Sequence, residues 1–243
     1  MRCLVLSDIH SNLAAFEAVL EDVGTVDQVW CLGDVVGYGP DPNDCVELLR
    51  SLPHVCIAGN HDWGTLGLLD LRDFNHEARV ANEWNRKQLT SENLAYLETL
   101  PETIVEGEFT LAHGSPCHPI WEYILYASTA MAGFGCFDTR YCFVGHTHTP
   151  VIFGLSQEEG RECCEPRLPP EGSARLGAER LIINPGSVGQ PRDGDRRASY
   201  VVLDRSALTI EYRRVEYDVK RTQDAMQRYG LPERQAARLS YGW

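Results

Sequence analysis

Met1-Arg2-Cys3-Leu4-Val5-Leu6-Ser7-Asp8-Ile9-His10-Ser11-Asn12-Leu13-Ala14-Ala15-Phe16-Glu17-Ala18-Val19-Leu20 is the stretch that decides the fold. Cys3 to Leu6 form a short apolar run ended by Ser7 and Asp8, which reads as a buried strand. Leu13, Phe16, Val19 and Leu20 then recur at helical spacing. The chain therefore opens as strand, polar loop, helix. The unit repeats: strand 28–32 leads into Gly33-Asp34, a Gly/Pro-rich loop to Pro42 and a helix over 44–52. Strand 54–58 then leads into Gly59-Asn60-His61-Asp62. Three such units in a row argue for an α/β fold with a parallel-type sheet.

Downstream, apolar periodicity places helices over 77–89, around Leu94, Leu97 and Leu100, over 124–133, and over 219–229 and 233–239. Strands are expected at 103–105, 109–112, 141–144, 151–153, 181–183, 199–203 and 208–215. Residues 156–180 are polar and contain Pro166, Pro169 and Pro170, so they read as a surface excursion, a hairpin over the site. Neither an internal repeat nor a clean linker is visible. Residues 1–243 are read as one domain, with 216–243 forming its C-terminal helices.

Hydrophobic residues make up 43% and charged residues 23%, enough apolar matter for a sizeable core. The net charge of −13 argues against general nucleic-acid binding, which rests on Lys and Arg neutralising phosphates. A small phosphorylated substrate stays compatible, because bound divalent cations invert the local charge. Nine cysteines are present, but several sit in apolar stretches (Cys3, Cys31, Cys56, Cys142) and no CxxC occurs. That pattern argues against a disulfide framework or a Cys-rich zinc site, and for a reducing, cytoplasmic setting. No apolar run reaches the length of a membrane span and no signal peptide is evident.

The chemistry-bearing residues recur at one kind of place. Asp8-Ile9-His10, Gly33-Asp34, Gly59-Asn60-His61-Asp62, His113-Gly114 and Gly145-His146-Thr147-His148 each follow an expected strand. Ligands of open α/β sheets bind beyond the carboxyl ends of strands, where loops distant in sequence converge. Asp and His suit divalent metals such as Mn, Fe, Zn and Ni, and Asn adds a neutral oxygen. Asp34, alone at its strand end, suits a carboxylate bridging two cations. Asp8 and His10, like His146 and His148, lie two apart and in extended backbone point the same way. Each block alone also occurs as an ordinary turn; their co-occurrence in order is what signals a site. His54, His76 and His118 have no such company and read as ordinary histidines.

These five blocks resemble the ordered signature of the calcineurin-like metallophosphoesterase family: D-x-H, G-D, G-N-H-[DE], a lone H, and G-H-x-H. Asn184-Pro185-Gly186-Ser187 is similar to a later segment of that family. The likeness is greatest to its small, stand-alone bacterial and archaeal members. It implies a four-layer αββα sandwich, two central mixed β-sheets flanked by helices. It implies two divalent transition-metal ions (Mn, Fe, Zn or Ni): one on Asp8, His10, Asp34 and His148, the other on Asp34, Asn60, His113 and His146. It further implies in-line attack by a bridging hydroxide on a small phosphodiester or phosphomonoester, with His61 as general acid rather than ligand. The protein-phosphatase branch reads G-D-x-x-D-R-G, whereas this chain reads Gly33-Asp34-Val35-Val36-Gly37-Tyr38-Gly39. Its second Asp and its Arg are missing, which points away from a phosphoprotein substrate and leaves His61 without an assigned partner. Arg192 is a candidate phosphate contact, its plainer reading being a solvated loop arginine. The alternative function is a non-catalytic interaction scaffold on the same fold, which the intact ligand set disfavours. A structural zinc protein would need a closed, usually Cys-rich, four-ligand set.

Overall fold

The computed structural model describes residues 1–158, 161–169 and 172–243. Strand β1, Arg2–Leu6, lies at the middle of a six-stranded sheet because both of its faces are apolar. It pairs in parallel with β2 (Gln28–Cys31) and antiparallel with β11 (Ala198–Asp204). β3 (His54–Cys56) continues one side of this sheet, and β12 (Thr209–Val215) and β9 (Ser173–Arg175) the other. The second six-stranded sheet has the order β4-β5-β6-β10-β7-β8. Its strands are β4 Thr103–Glu106, β5 Phe109–Ala112, β6 Tyr141–Phe143, β7 Val151–Glu158, β8 Arg161–Arg167 and β10 Arg180–Asn184. Both sheets mix parallel and antiparallel neighbours.

Side-chain alternation along β1 separates the layers. Cys3 and Val5 point into a core shared by the two sheets, with Trp30, Phe109, Tyr141, Phe143, Ile183 and Val201. Leu4 and Leu6 point the other way, onto Phe16 and Val19 of α1 (Leu13–Val23) and Val46 and Leu49 of α2 (Pro42–Arg50). On the outside of the second sheet, Cys142 and Ile182 pack against Ala130 of α6 (Ala127–Gly133) and Phe134. The order helix, sheet, sheet, helix is the four-layer αββα sandwich that the sequence implied.

Three local readings need correction. Helix α3 (Asn60–Leu66) begins inside the stretch read as loop. It holds Gly64 and no apolar period, so its signal was hidden; the Asp62 carboxylate starts it by accepting the Gly59 N–H at 2.9 Å. Residues 156–180 do contain a hairpin, β7 with β8, but it does not cover the site. β7 leaves the site end just after His148 and runs away from it, antiparallel to β10, so the Glu158–Arg161 pair that ends the ladder lies at the opposite end of the sheet. Residues 159–160 and 170–171 of that excursion lie outside the described residues. Cys117 and Cys136 form a disulfide, against the expectation of unpaired cysteines; the others among the described residues are free. No helix among the described residues is long and apolar enough to cross a membrane.

Candidate metal centre

The loops that follow β1, β2, β3, β5 and β6 meet at one end of the two sheets, and with them meet all seven expected ligands. Asp8, His10, Asp34, Asn60, His113, His146 and His148 are buried. Ligand-type atoms of Asp8, His10 and His148 lie within 4.8 Å of one another, and so do those of Asp34, His113 and His146. A third such group, His10, Asp34 and His61, joins the two.

The backbone that achieves this is not extended. Asp8, His10, Asp34, His146 and His148 all have positive φ, between 49° and 65°. The reasoning that residues two apart share a direction in a strand therefore does not apply. His146 and His148 go to different groups, and Asp8 and His10 meet through left-handed turns. Left-handed backbone is unfavourable for residues with a Cβ, so packing must hold it. The loops brace one another: His10 N–H donates to Asp34 O at 2.9 Å and Asp8 N–H to Gly33 O at 3.1 Å. Asp62 accepts the amides of Asp34 (2.8 Å) and Val36 (3.2 Å) as well as that of Gly59. Gly59 must lack a side chain, because a Cβ there would sit 2.1 Å from Asp34 Oδ1.

Each carboxylate has one oxygen tied and one free. Asp8 Oδ2 accepts the His146 N–H at 3.1 Å and Asp34 Oδ1 accepts the His61 N–H at 2.8 Å. Asp8 Oδ1 and Asp34 Oδ2 are buried with no hydrogen-bond partner. Buried, unpaired carboxylate oxygens are costly unless something positive faces them. Asp34 Oδ2 lies 3.6 Å from His10 Nε2 and 3.3 Å from His113 Nε2, between the two groups.

The histidine tautomers point to the same absent charge. His10, His113 and His148 face the carbonyl oxygens of Val36, Leu32 and Gln190 with Nδ1, at 3.2, 2.7 and 2.6 Å. His146 faces the Trp121 carbonyl with Nε2 at 3.2 Å. A carbonyl only accepts, so each of these ring nitrogens carries a proton; the other nitrogen of His10, His146 and His148 turns a lone pair inward, and that of His113 does so once it gives up its second proton. His10 Nε2 and His148 Nε2 are 3.1 Å apart, a separation that calls for a proton or a cation between them. Burial lowers the pKa of His10, His146 and His148. Burial alone would raise Asp8 and Asp34, but His148 and His113 respectively hold them below the usual carboxylate range. Burial also works against a proton on His113, yet the Asp34 carboxylate pushes its pKa up to about 10. The donor set and its two orphaned oxygens fit divalent cations.

His61 stands beside this cradle, against Tyr38 (ring centroids 4.4 Å) and Phe74 (5.3 Å). Its missing partner is Asn82 of α4 (His76–Gln88), whose Oδ1 is 3.1 Å from His61 Nδ1 and also receives the Thr65 hydroxyl. Asp62, the neighbour in sequence, is turned to backbone amides instead. Arg192 donates from Nη2 to Gln190 Oε1 (2.9 Å) and to the Tyr38 hydroxyl (3.3 Å), so it stands at the site rather than in a solvated loop. Among the described residues it forms no ion pair, and its Nε is buried without a partner. His54 bonds Tyr96 and Leu52, away from the cradle.

Sequence reading missed Asn82, Asn85 and the aromatic residues Tyr38, Phe74, Trp121 and Tyr123. Tyr123 lies over His146 at 3.8 Å between centroids, and Trp121 contacts Phe74 at 4.8 Å. For the asparagines a signal existed. They share the buried stripe of α4 with Ala78 and Ala81, and buried amides on a helix face need partners elsewhere.

The chain as a whole is similar to known proteins. A family model for the calcineurin-like phosphoesterase superfamily domain matches residues 1–207. Uncharacterized protein MJ0912 of Methanocaldococcus jannaschii is 42% identical, over 98% of this chain and 97% of its own length. The crystal structure of a metallophosphoesterase from Sphaerobacter thermophilus is 49% identical with a TM-score of 0.90, covering 100% of this chain and 99% of that one. A symmetrical bis(5'-nucleosyl)-tetraphosphatase of Aromatoleum aromaticum is 28% identical over 46% of this chain, which spans only 44% of that protein's length. The chain thus belongs to the calcineurin-like phosphoesterase superfamily and is a metal-dependent phosphoric ester hydrolase.

Proposed function

We propose that the chain hydrolyses a small phosphomonoester or phosphodiester at a centre of two divalent cations. Asp8, His10, Asp34 and His148 would hold one, and Asp34, Asn60, His113 and His146 the other. The observation that carries this reading is the orphaned Asp34 Oδ2, placed between two histidine groups, with the inward nitrogens of His10 and His113 at 3.6 and 3.3 Å. Such cations supply a nucleophile at neutral pH by lowering the pKa of water, and they neutralise charge on phosphoryl oxygens.

The chain's own residues do the rest. Backbone carbonyls fix the four histidine rings, and Asp62 fixes the turn that presents Asp34. Arg192 takes a phosphoryl oxygen with a guanidinium that no carboxylate engages. His61 donates a proton to the leaving oxygen, with Asn82 setting the plane of its ring. Burial, opposed by Asp34 and aided by Arg192, brings the His61 pKa to about 4 in the protein alone. A phosphate beside the ring acts the other way and favours the imidazolium. The partial likeness to bis(5'-nucleosyl)-tetraphosphatases adds dinucleoside polyphosphates to the substrates worth assaying.

Metal analysis with assays on bis-p-nitrophenyl phosphate and p-nitrophenyl phosphate, Mn added, tests the reading. Two ions per chain and turnover of either ester are expected. His61→Ala is expected to keep both ions and lose most activity. Loss of an ion in that variant would make His61 a ligand, as its nearness to His10 and Asp34 permits. No turnover by fully loaded protein would overturn the catalytic reading.

A further inference from the structure

A cavity of about 490 Å³ lies between the start of α4 and α8 (Glu233–Arg238), outside the metal cradle. Asn75, Arg234, Gln235, Arg238, Tyr241 and Trp243 line it. A chain of hydrogen bonds joins it to the site. Arg192 Nη2 donates to Gln190 Oε1, Gln190 Nε2 donates to Gln235 Oε1 at 2.9 Å, and Arg238 Nη1 donates to the same oxygen at 3.3 Å. On the other side, Asn75 follows Phe74, the residue packed on His61.

Two features of this cavity lack a structural explanation. The first is charge. In a chain of net charge −13, two guanidiniums, Arg234 and Arg238, line it beside a single carboxylate side chain, Glu77, which lies 3.9 Å from Arg234, and Arg192 is joined to it through Gln190 and Gln235. Arg192 has no carboxylate partner among the described residues, and Arg238 is held by Gln235 and the Trp243 main-chain oxygen. Burial, with the charges of Arg192 and Arg234 and against that of Glu77, pushes the Arg238 pKa down to about 10. The second is an aromatic face. Tyr241 and Trp243 stack at 4.8 Å between centroids while remaining 56% and 64% exposed. Large aromatic rings left in water beside a cavity mark a binding surface.

We propose that this cavity binds the nucleoside end of a nucleoside polyphosphate. Arg192 and Arg238 take oxygens of the phosphate chain, and the Tyr241–Trp243 pair stacks the base. Guanidiniums match phosphate oxygens two at a time, and a nucleobase stacks on aromatic side chains whatever its sequence context. Only a ligand with both parts uses both features. The proposal rests on the phosphoesterase reading for the fate of the phosphate chain, but not for binding itself.

The test is calorimetric titration of EDTA-treated protein with ADP, adenosine and tripolyphosphate, which removes any contribution from cations at the cradle. Wild-type protein is expected to bind ADP at least tenfold more tightly than either adenosine or tripolyphosphate. Tyr241→Ala/Trp243→Ala is expected to weaken ADP at least tenfold and to change tripolyphosphate less than twofold. Arg238→Gln is expected to weaken both anions; if that variant fails to fold, the aromatic variant, altered only at exposed rings, still decides. ADP binding no tighter than that of tripolyphosphate, or unchanged in the aromatic variant, overturns the proposal. Turnover of p-nitrophenyl phosphate is scored separately. Its absence beside the expected ADP pattern would overturn the phosphoesterase reading and uphold the subsite.

Discussion

Asn82 Oδ1 lies 3.1 Å from His61 Nδ1, so the partner of the proposed acid is an amide on α4, in a chain that lacks the second aspartate of the protein-phosphatase pattern. A carboxylate stabilises the imidazolium strongly; an amide orients the ring while adding no charge. Asn82→Ala is expected to keep its cations and to lose about tenfold to a hundredfold in kcat, part of what general acid catalysis contributes. The loss should be larger for an alkyl phosphate than for p-nitrophenyl phosphate, whose leaving group needs no proton. Equal losses on both would remove His61 from the proton-donor role. Asn82→Asp is expected to raise the His61 pKa and move the alkaline limb of the kcat profile to higher pH.

Asp62 gathers the amides of Gly59, Asp34 and Val36 with one carboxylate. Burial, then the charge of Asp34, pushes its pKa up to about 7, while the amides of Gly59 and Val36 pull it down. We take the donors as evidence that it works as a carboxylate when Asp34 is neutralised by cations. Asp62→Ala strips three buried N–H groups of their acceptor. At about 1–3 kcal/mol for a buried group left unsatisfied, a loss of about 3 kcal/mol or more in stability is expected. Urea denaturation of the metal-loaded variant, with metal analysis, checks it; unchanged stability with full metal content would show that the Asp34 turn holds itself.

How much of this was open to reading depended on which interactions are local. β1 and α1 announced themselves because a continuous apolar run and a helical apolar period need only a few consecutive residues. The ligands were legible because each sits just past an apolar strand and keeps to a fixed order. The left-handed backbone at Asp8, His10 and Asp34 was not, since cross-loop bonds such as His10 N–H to Asp34 O impose it against local preference. Asn82 reaches His61 across 21 residues, and Gln235 reaches Gln190 across 45, contacts with no signature in either segment. The hairpin of β7 and β8 was seen as a hairpin but misplaced, because the direction of β7 depends on its pairing with β10.

Cation binding should release protons. The pKa of His113 stands at about 10 against an ordinary 6.5, through the Asp34 carboxylate beside it and despite burial. Its proton therefore stabilises the metal-free protein fully below about pH 6.5, and that contribution is lost as pH rises towards 10. A cation needs the same nitrogen free, so Mn affinity is expected to rise with pH over this window. Calorimetry near pH 8 in buffers of different ionisation enthalpy should show about one proton released from His113. The melting temperature of EDTA-treated protein should fall between pH 7 and 10, while that of loaded protein changes little. Affinity that does not vary with pH would mean His113 is already neutral.

The Cys117–Cys136 disulfide closes the loop that carries Trp121 and Tyr123 to His146. The bond holds that loop together with the packing of Ala130, Phe134 and Phe137 on Cys142 and Ile182 and with hydrogen bonds such as that of the Ser115 hydroxyl to Glu122. The packing secures its second half. The first half has only Ile120 and Ile124 as buried apolar anchors, so there the bond matters most. A loop with a sequence separation of 19 is worth about 3 kcal/mol in the chain-entropy account. For a chain of this size that corresponds to roughly 6–12 °C in Tm. Cys117→Ala/Cys136→Ala, or dithiothreitol treatment, is therefore expected to lower Tm by that amount. Freed of the bond, the Trp121 carbonyl orients His146 less firmly, and Mn affinity should drop by about tenfold, the lower end of what loss of such a partner costs. Metal titration of reduced and oxidised protein separates the two effects: a lower Tm with unchanged affinity would confine the disulfide to stability and leave His146 to be held by its own backbone bond to Asp8.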